Sequence, residues 1–430
     1  MNGFSQLSKS EKINRLAQSH PLLDLPNLLQ ATELKDSQLQ SQIEKFSENT
    51  IGHFPLPFGI APHFLINGQS YQVPMVTEES SVVAAASRGA KFWSTRGGIQ
   101  AQVLGTEKKG QIHFLYSGDI QDLSDLLPNF KTEILDQLTL ATASMEKRGG
   151  GIVDLSLKEP TQEQRTELKD YYQLELTVQT CDAMGANFIN TLLEEIAQAW
   201  KEYCDCTLKK QSITIIMSIL TNYTPHCLVQ ASVQCQIDQL GRQDGLSAQQ
   251  FAFKFFKAVQ IAHYSVERAV THNKGIFNGI DAVVMATGND FRAVEACGHA
   301  YAARTGQYRS LSHCHLENDQ FHFSLMLPMN IGTVGGLTQL HPLAAASLEI
   351  LANPSAPQLM QIIAAVGLIQ NFSAIRSLVT TGIQKGHMKM HLENILTQLK
   401  ASAAQKEQAK KYFSDKVISY HQVKEFLAYH

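Results

Sequence analysis

Residues 271–290, THNKGIFNGIDAVVMATGND, constrain the fold more than any other stretch, because an apolar run at 282–286 is closed at either end by small and polar residues. Lys274 is followed by Gly275, Asn278 and Gly279, which let a backbone turn tightly, and the run ends at Gly288-Asn289-Asp290. The pattern predicts a buried element holding Lys274 and Asp290 on short turns at its two ends. Upstream, Phe251, Phe255, Val259, Ala262 and Val266 recur on one helical face, which predicts a long helix from about residue 247. A lysine and a carboxylate fixed this way suit stabilisation of a developing oxyanion and proton relay. An exposed turn lysine and an Asx-turn aspartate would look the same locally.

The 430-residue chain is long enough for two or three domains. A net charge of -3 with 17% charged residues leaves no basic field for nucleic acid or an anionic membrane surface. The N-terminus reads as the polar start of an amphipathic helix rather than a signal peptide. No apolar run reaches the roughly 18 residues of a membrane span, so a cytoplasmic protein is expected. Seven cysteines without C-x-x-C spacing predict reduced thiols and no disulfides. Cys204 with Cys206, and Cys314 between His313 and His315, lack zinc-site spacing; they read as chance clusters on a strand or loop, and no metal is expected.

In chain order, residues 1–47 read as helices, and 53–59, HFPLPFG, as a loop or edge strand. PMVTEESSVVAAA, from Pro74, predicts a helix start with Thr77 as its cap and Glu78 and Glu79 complementing the dipole. Glycines at 97–98 and 105–110 mark a domain boundary, followed by strands at 112–116 and 174–178. Between these strands lies Arg148-Gly149-Gly150-Gly151, whose glycines allow close approach to a ligand. Asp182-Ala183-Met184-Gly185-Ala186-Asn187 opens a helix after a strand. A phosphate could rest on such a helix N-terminus, although the G-x-G-x-x-G of a Rossmann domain is absent. Strands follow at 213–219 and 229–237, then Arg268 near the end of the long helical pattern. Beyond Asp290 come a helix at 291–303 containing Cys297, a strand at 321–329, a glycine-rich loop from Gly332 through Gly335 and Gly336, and helices at 344–352 and 359–368. Last is a helix start at 382–391, where His387 and His391 lie four residues apart.

These strings resemble the soluble class II 3-hydroxy-3-methylglutaryl-coenzyme A (HMG-CoA) reductases. HNKGIFNGID and ATGNDFRAVEA repeat that family's pattern almost unchanged, and ENTIG, DAMGAN, GTVGG and GHMKMH follow it in order. The resemblance implies reduction of HMG-CoA to mevalonate and coenzyme A, with Glu79, Lys274, Asp290 and His387 catalytic. In this scheme Lys274 stabilises the oxyanion, Glu79 relays a proton, Asp290 tunes both, and His387 protonates the departing thiolate. Ser81, Arg268 and Asn278 fall where relatives bind substrate. Asp154, Asp182, Met184, Gly185, Asn187, Gly332, Gly335 and Gly336 fall at or near positions that border the cofactor. Family members often carry proline where this chain has Ser80, a small departure beside the kept glutamate.

The implied fold is α/β (α+β). A large mixed domain built around a long central helix (1–110 and 223–378) holds an inserted small antiparallel, ferredoxin-like, non-Rossmann cofactor domain (111–222). A mobile helical C-terminal domain (379–430) completes the chain. The expected cofactor is NADH or NADPH, NADH being slightly favoured because a carboxylate at Asp154 would repel a 2′-phosphate, though Lys158 nearby could attract one. A homodimer or higher oligomer is expected, since the site of relatives lies at a subunit interface. Two other readings remain at this point: an acyl-CoA reductase using Cys297 as nucleophile, and a non-catalytic coenzyme A or nucleotide binder.

Overall fold

The computed structural model describes residues 3–208, 213–380, 382, 392–413, 416 and 418–429. Contacts divide the chain into two compact units, residues 1–58 and 59–430. The first holds three short helices, α1 (Lys9–Ser19), α2 (Leu25–Gln30) and α3 (Ser37–Glu44). Ser8 and Glu11 close a capping box at the start of α1, and Asp36 caps α3. Lys9 ties the group together through Glu33 at 2.8 Å and Glu44 at 2.6 Å.

The second unit opens on a hairpin of β1 (Phe58–Ile66) and β2 (Gln69–Val76), turned by Asn67-Gly68 with φ of 50° and 81°. Two consecutive left-handed residues are what a tight two-residue hairpin needs. β2 leads through residues 77–81 into α4 (Val82–Ser94). A four-stranded antiparallel sheet follows in the order β3-β8-β10-β9, formed by Gln100–Val103, Leu228–Gln236, Gln320–Pro328 and Ser312–Glu317 respectively. Around it pack α8 (Ala248–Tyr264), α9 (Val266–Ala286), α10 (Phe291–Ala302) and α13 (Ala356–Val379), with the short helices α11 (Leu337–Leu340) and α12 (Pro342–Ile350) leading into α13. The core is aromatic where these layers meet: Phe255 lies 5.3 Å from Phe321 and 5.0 Å from Phe323, and Trp93 lies 5.3 Å from Phe372.

α13 is apolar on nearly every face because it is enclosed on nearly every face. By length and composition it could cross a membrane, yet most of it is buried against α9, α4 and the sheet. Gly279 of α9 and Gly367 of α13 permit that contact: a Cβ at Gly279 would lie 2.8 Å from Gln370 Cβ, and one at Gly367 would lie 2.8 Å from Ile280 Cγ1.

A second antiparallel sheet runs β5-β6-β4-β7, from β4 (Lys108–Leu115), β5 (Gly151–Lys158), β6 (Tyr171–Gln179) and β7 (Thr214–Leu220). It is built as β-α-β-β-α-β, with α5 (Ile120–Glu146) after β4, the short α6 (Gln162–Glu167) between β5 and β6, and α7 (Ala186–Thr207) after β6. α5 and α7 cover one face over a separate core that includes Ile112, Phe114, Leu174 and Trp200. Residues 392–398 and the helices Ala403–Tyr412 and Tyr420–Tyr429 form a third, small core around Leu396, Phe413 and Phe426. The chain is therefore a mixed α/β protein with antiparallel sheets.

Several local expectations are corrected. Residues 266–286 form one continuous helix, so Lys274 sits inside α9 rather than on a turn. Gly275, Asn278 and Gly279 do not turn the chain, because burial against α13 overrides their local preference. The long upstream helix is interrupted at Ser265, whose extended backbone ends α8 and whose side chain caps α9 through the Arg268 N–H. Thr77 does not cap α4; Ser81 occupies that position at φ 76°. β4 begins at Lys108, inside the glycine-marked boundary. Cys204 and Cys206 lie on α7, not on a strand or loop, and all seven cysteines are free thiols.

Candidate active site

The loop after β2 presents Glu79 to the flank of α9. Lys274 Nζ donates to Glu79 Oε2 at 2.6 Å, and Asn278 Nδ2 donates to the same oxygen at 3.2 Å. Lys274 and Asn278 share a helix face because they are four residues apart. The loop is shaped by the Glu79 N–H, which donates to Thr77 Oγ1 at 3.2 Å, and by the left-handed Ser81, whose side chain makes no capping hydrogen bond. Such a backbone costs about 1–3 kcal/mol in a non-glycine residue. With side chains 60% and 38% exposed, the Lys274–Glu79 pair adds only about 0–1 kcal/mol to stability. It offers instead an ammonium and a carboxylate open to a substrate.

Asp281, one turn beyond Asn278, belongs to the same face. Burial first, then the facing Glu295 carboxylate and the charge of Glu78, push its carboxyl up to about 8. A proton is thereby favoured on this pair of facing carboxyls.

A cavity of about 400 Å³ lies where three segments converge: residues 183–188, 288–290, and 332 with 334–338. Ala183 bridges Val334 in parallel, and the Gly332 N–H donates to Asn289 Oδ1 at 2.8 Å. Gly332 cannot be larger, since a Cβ there would lie 2.4 Å from the Met184 nitrogen. α7 starts at the cavity wall with Gly185 as a cap that has no side chain, so its first-turn N–H groups are available to an anion. Gly335 and Gly336, both at positive φ, have no atom within 4 Å of where a Cβ would project. This size and lining suit one end of a dinucleotide. Met184, Gly185, Asn187, Gly332, Gly335 and Gly336 all border the cavity, as does Asp290.

Other expected site residues are placed differently. Asp290 caps α10, accepting from the N–H groups of Arg292 at 3.0 Å and Ala293 at 3.3 Å, and pairs with the Arg292 guanidinium at 3.1 Å. Burial works against its ionisation, but the Arg292 side chain and these N–H groups hold its carboxyl below the ordinary value. Asp182 braces loops rather than lining the cavity: its Oδ1 accepts from the Ala356 N–H at 2.7 Å and its carbonyl from the Thr333 N–H at 2.8 Å. Asp154 follows a bulge in β5 and pairs with Lys131 at 2.7 Å; that ammonium, against a smaller effect of burial, lowers its pKa. Arg268 is half-buried and sits six residues before Lys274, about 120° away around α9. His387 lies outside the described residues.

Cys297 is 1% exposed on α10, with the Thr224 N–H donating to its sulfur at 3.4 Å. Burial pushes the thiol up, which opposes formation of a thiolate nucleophile. The cysteine-dependent reading gains nothing from this geometry. Residues missed in the sequence are Asn289, Asp281 and Lys108. For Lys108 a signal existed: carrying the alternation Ile112, Gly110 one step further back puts a lysine on the buried face of β4.

Residues 14–392 match the family model for hydroxymethylglutaryl-coenzyme A reductase. The 3-hydroxy-3-methylglutaryl-coenzyme A reductase of Archaeoglobus fulgidus is 34% identical over 91% of this chain and 86% of its own length. A probable reductase of the same name from Borreliella burgdorferi is 34% identical over 82% of this chain and 78% of its own. Among solved structures, the class II reductase of Streptococcus pneumoniae bound to NADPH in open conformations superposes with a TM-score of 0.73 at 38% identity, covering 88% of this chain and 99% of that one. On the family model, the identity to these relatives and the fold together, this chain belongs to the hydroxymethylglutaryl-coenzyme A reductase family, in its class II branch.

Proposed function

We propose that Glu79, Lys274, Asp290 and His387 carry the reaction of this family, the reduction of HMG-CoA to mevalonate and free coenzyme A. By family the chain is an NAD(P)H-dependent oxidoreductase acting on a coenzyme A thioester. The observation that carries the residue assignment is the Lys274–Glu79 contact, braced by Asn278. The ammonium of Lys274 donates to the substrate oxygen as negative charge builds there, and Glu79 passes that oxygen a proton. Ser81, Arg268 and Asn278 orient the substrate. His387 protonates the coenzyme A thiolate, a step for which an imidazole with an ordinary pKa of about 6.5 is suited. The dinucleotide, when bound, supplies two hydrides in succession. Residues 183–188 and 332–338 would hold it, the α7 N-terminus facing a phosphate.

Within one chain the two centres are offset. Lys274 lies twelve residues before the end of α9, about 18 Å along the helix axis, while the cavity and Asp290 lie beyond that end. A homodimer that brings the cavity of one copy to the Glu79–Lys274 pair of another would complete the site. The four-part division, with 111–222 as cofactor domain and 379–430 as a flap carrying His387, fits this reading, as does a cytoplasmic location. If it is right, inactive Lys274→Ala and Asp290→Asn proteins regain part of the activity when their subunits are exchanged. Verified exchange without any recovery would mean that each chain works alone.

NADH remains the slightly favoured cofactor on account of Asp154, although Lys131 offsets that carboxylate's charge. Lys131→Ala, by freeing the charge to repel a 2′-phosphate, is expected to raise the kcat/KM ratio of NADH over NADPH by about tenfold, a difference of about 1.4 kcal/mol. An unchanged ratio removes Asp154 from cofactor recognition.

A further inference from the structure

Lys108 is 3% exposed, yet among the described residues it makes no ion pair. Its ammonium donates to Thr180 Oγ1 at 2.6 Å, to the Ala183 carbonyl at 2.6 Å and to the Met184 carbonyl at 3.1 Å, with the Ile331 carbonyl at 3.5 Å. Ala183 and Met184 form one wall of the cavity, and Ile331 immediately precedes Gly332 in the wall that adjoins it. One buried charge thus fastens the turn in front of α7 to the segment after β10 that feeds the second glycine-rich loop. Isolated buried ammonium groups are costly, and apolar side chains would fill the space at less expense. Retention of a charge here is explained by what it organises: with their carbonyls drawn toward Lys108, residues 183–185 are held so that the first N–H groups of α7 are left to face the cavity.

We propose that Lys108 is a positioning residue for the dinucleotide, whose protonated amine holds the two cavity walls in their binding arrangement. This rests on assigning the cavity to NAD(P)H. The charge is finely balanced: burial brings the amine down to about 8, while the nearby Asp182 carboxylate favours the charged form. Cys227, pushed up to about 11 by burial, stays a thiol through that range, and Asp182 holds the Ala356 N–H. Once neutral, Lys108 has two N–H donors for its three close acceptors and a lone pair turned toward a carbonyl, so the walls loosen. Stability moves the other way. The unfolded lysine keeps its proton to about 10.4, so between pH 8 and that value the unfolded chain binds more protons and raising the pH stabilises the fold.

The test is direct titration of the full-length protein with NADPH, followed by nucleotide fluorescence, from pH 6.5 to 9.5, alongside thermal melts. Wild type is expected to lose affinity about tenfold as pH passes 8 without losing thermal stability. Lys108→Met is expected to bind about tenfold more weakly at pH 7 with a flat profile, and Lys108→Arg, charged throughout, to abolish the alkaline loss. Cys181→Ser, the control for the neighbouring thiol, keeps the wild-type profile. A pH-independent wild-type affinity, or Lys108→Met binding as tightly as wild type at pH 7, overturns the role of Lys108. Failure of wild type to bind NADPH or NADH at any pH overturns the cavity assignment instead.

Discussion

Lys274→Ala loses reduction of HMG-CoA and of free mevaldehyde alike, each by at least the roughly 10²- to 10³-fold that follows removal of one oxyanion donor. Each of the two hydride transfers builds negative charge on an oxygen, and each needs the ammonium. Because the ion pair with Glu79 is largely exposed, its loss changes thermal stability little. The variant is therefore expected to remain folded and to bind NADPH as wild type does. Steady-state assays with both substrates check this. If mevaldehyde reduction survives in Lys274→Ala, the lysine serves only the thioester step.

His387→Gln separates the two halves of the reaction in the opposite sense. A general acid that serves only the leaving group is worth about 10²- to 10⁴-fold in reduction of HMG-CoA. Mevaldehyde has no thiolate to expel, so its reduction by the same protein stays near the wild-type rate. Melting curves and NADPH titration show whether the variant is folded. A parallel collapse of both activities in folded protein would place His387 in hydride transfer rather than in thiolate protonation.

Short-range pattern served well where one face or one turn decides the local structure. The alternating strand at 321–329 and the helix opened by Asp182 to Asn187 both stand as expected, within a residue or three at their ends. It misled at 271–290, where Gly275, Asn278 and Gly279 looked like a turn. The tolerance of α9 for Gly279 comes from α13, some ninety residues away, and no local rule sees that partner. α5, the longest helix described, was not anticipated because its polar face and an internal Pro128 weaken the periodic signal. Within the site, Glu79 and Lys274 are 195 residues apart. Their pairing was legible through family resemblance and not through spacing.

Two further cases show where side-chain chemistry depended on neighbours out of register. Asp154 looked like a bare carboxylate able to repel a 2′-phosphate, but Lys131 on α5 pairs with it beside the bulge in β5. Asp182 looked like part of a phosphate loop, yet its carboxylate holds the first N–H of α13. Cys297, the nucleophile of the alternative thioester chemistry, is sealed in the core.

Reduction of HMG-CoA to mevalonate is a four-electron change and takes two consecutive hydride transfers. The most direct measurement is the ratio of NADPH or NADH oxidised to coenzyme A thiol released when the full-length protein turns over HMG-CoA, read by nucleotide absorbance and thiol titration on the same samples. Two nucleotides oxidised per thiol, with mevalonate as the product, are expected. One nucleotide per thiol, with mevaldehyde accumulating, or thiol release without nucleotide oxidation, would contradict a four-electron reduction.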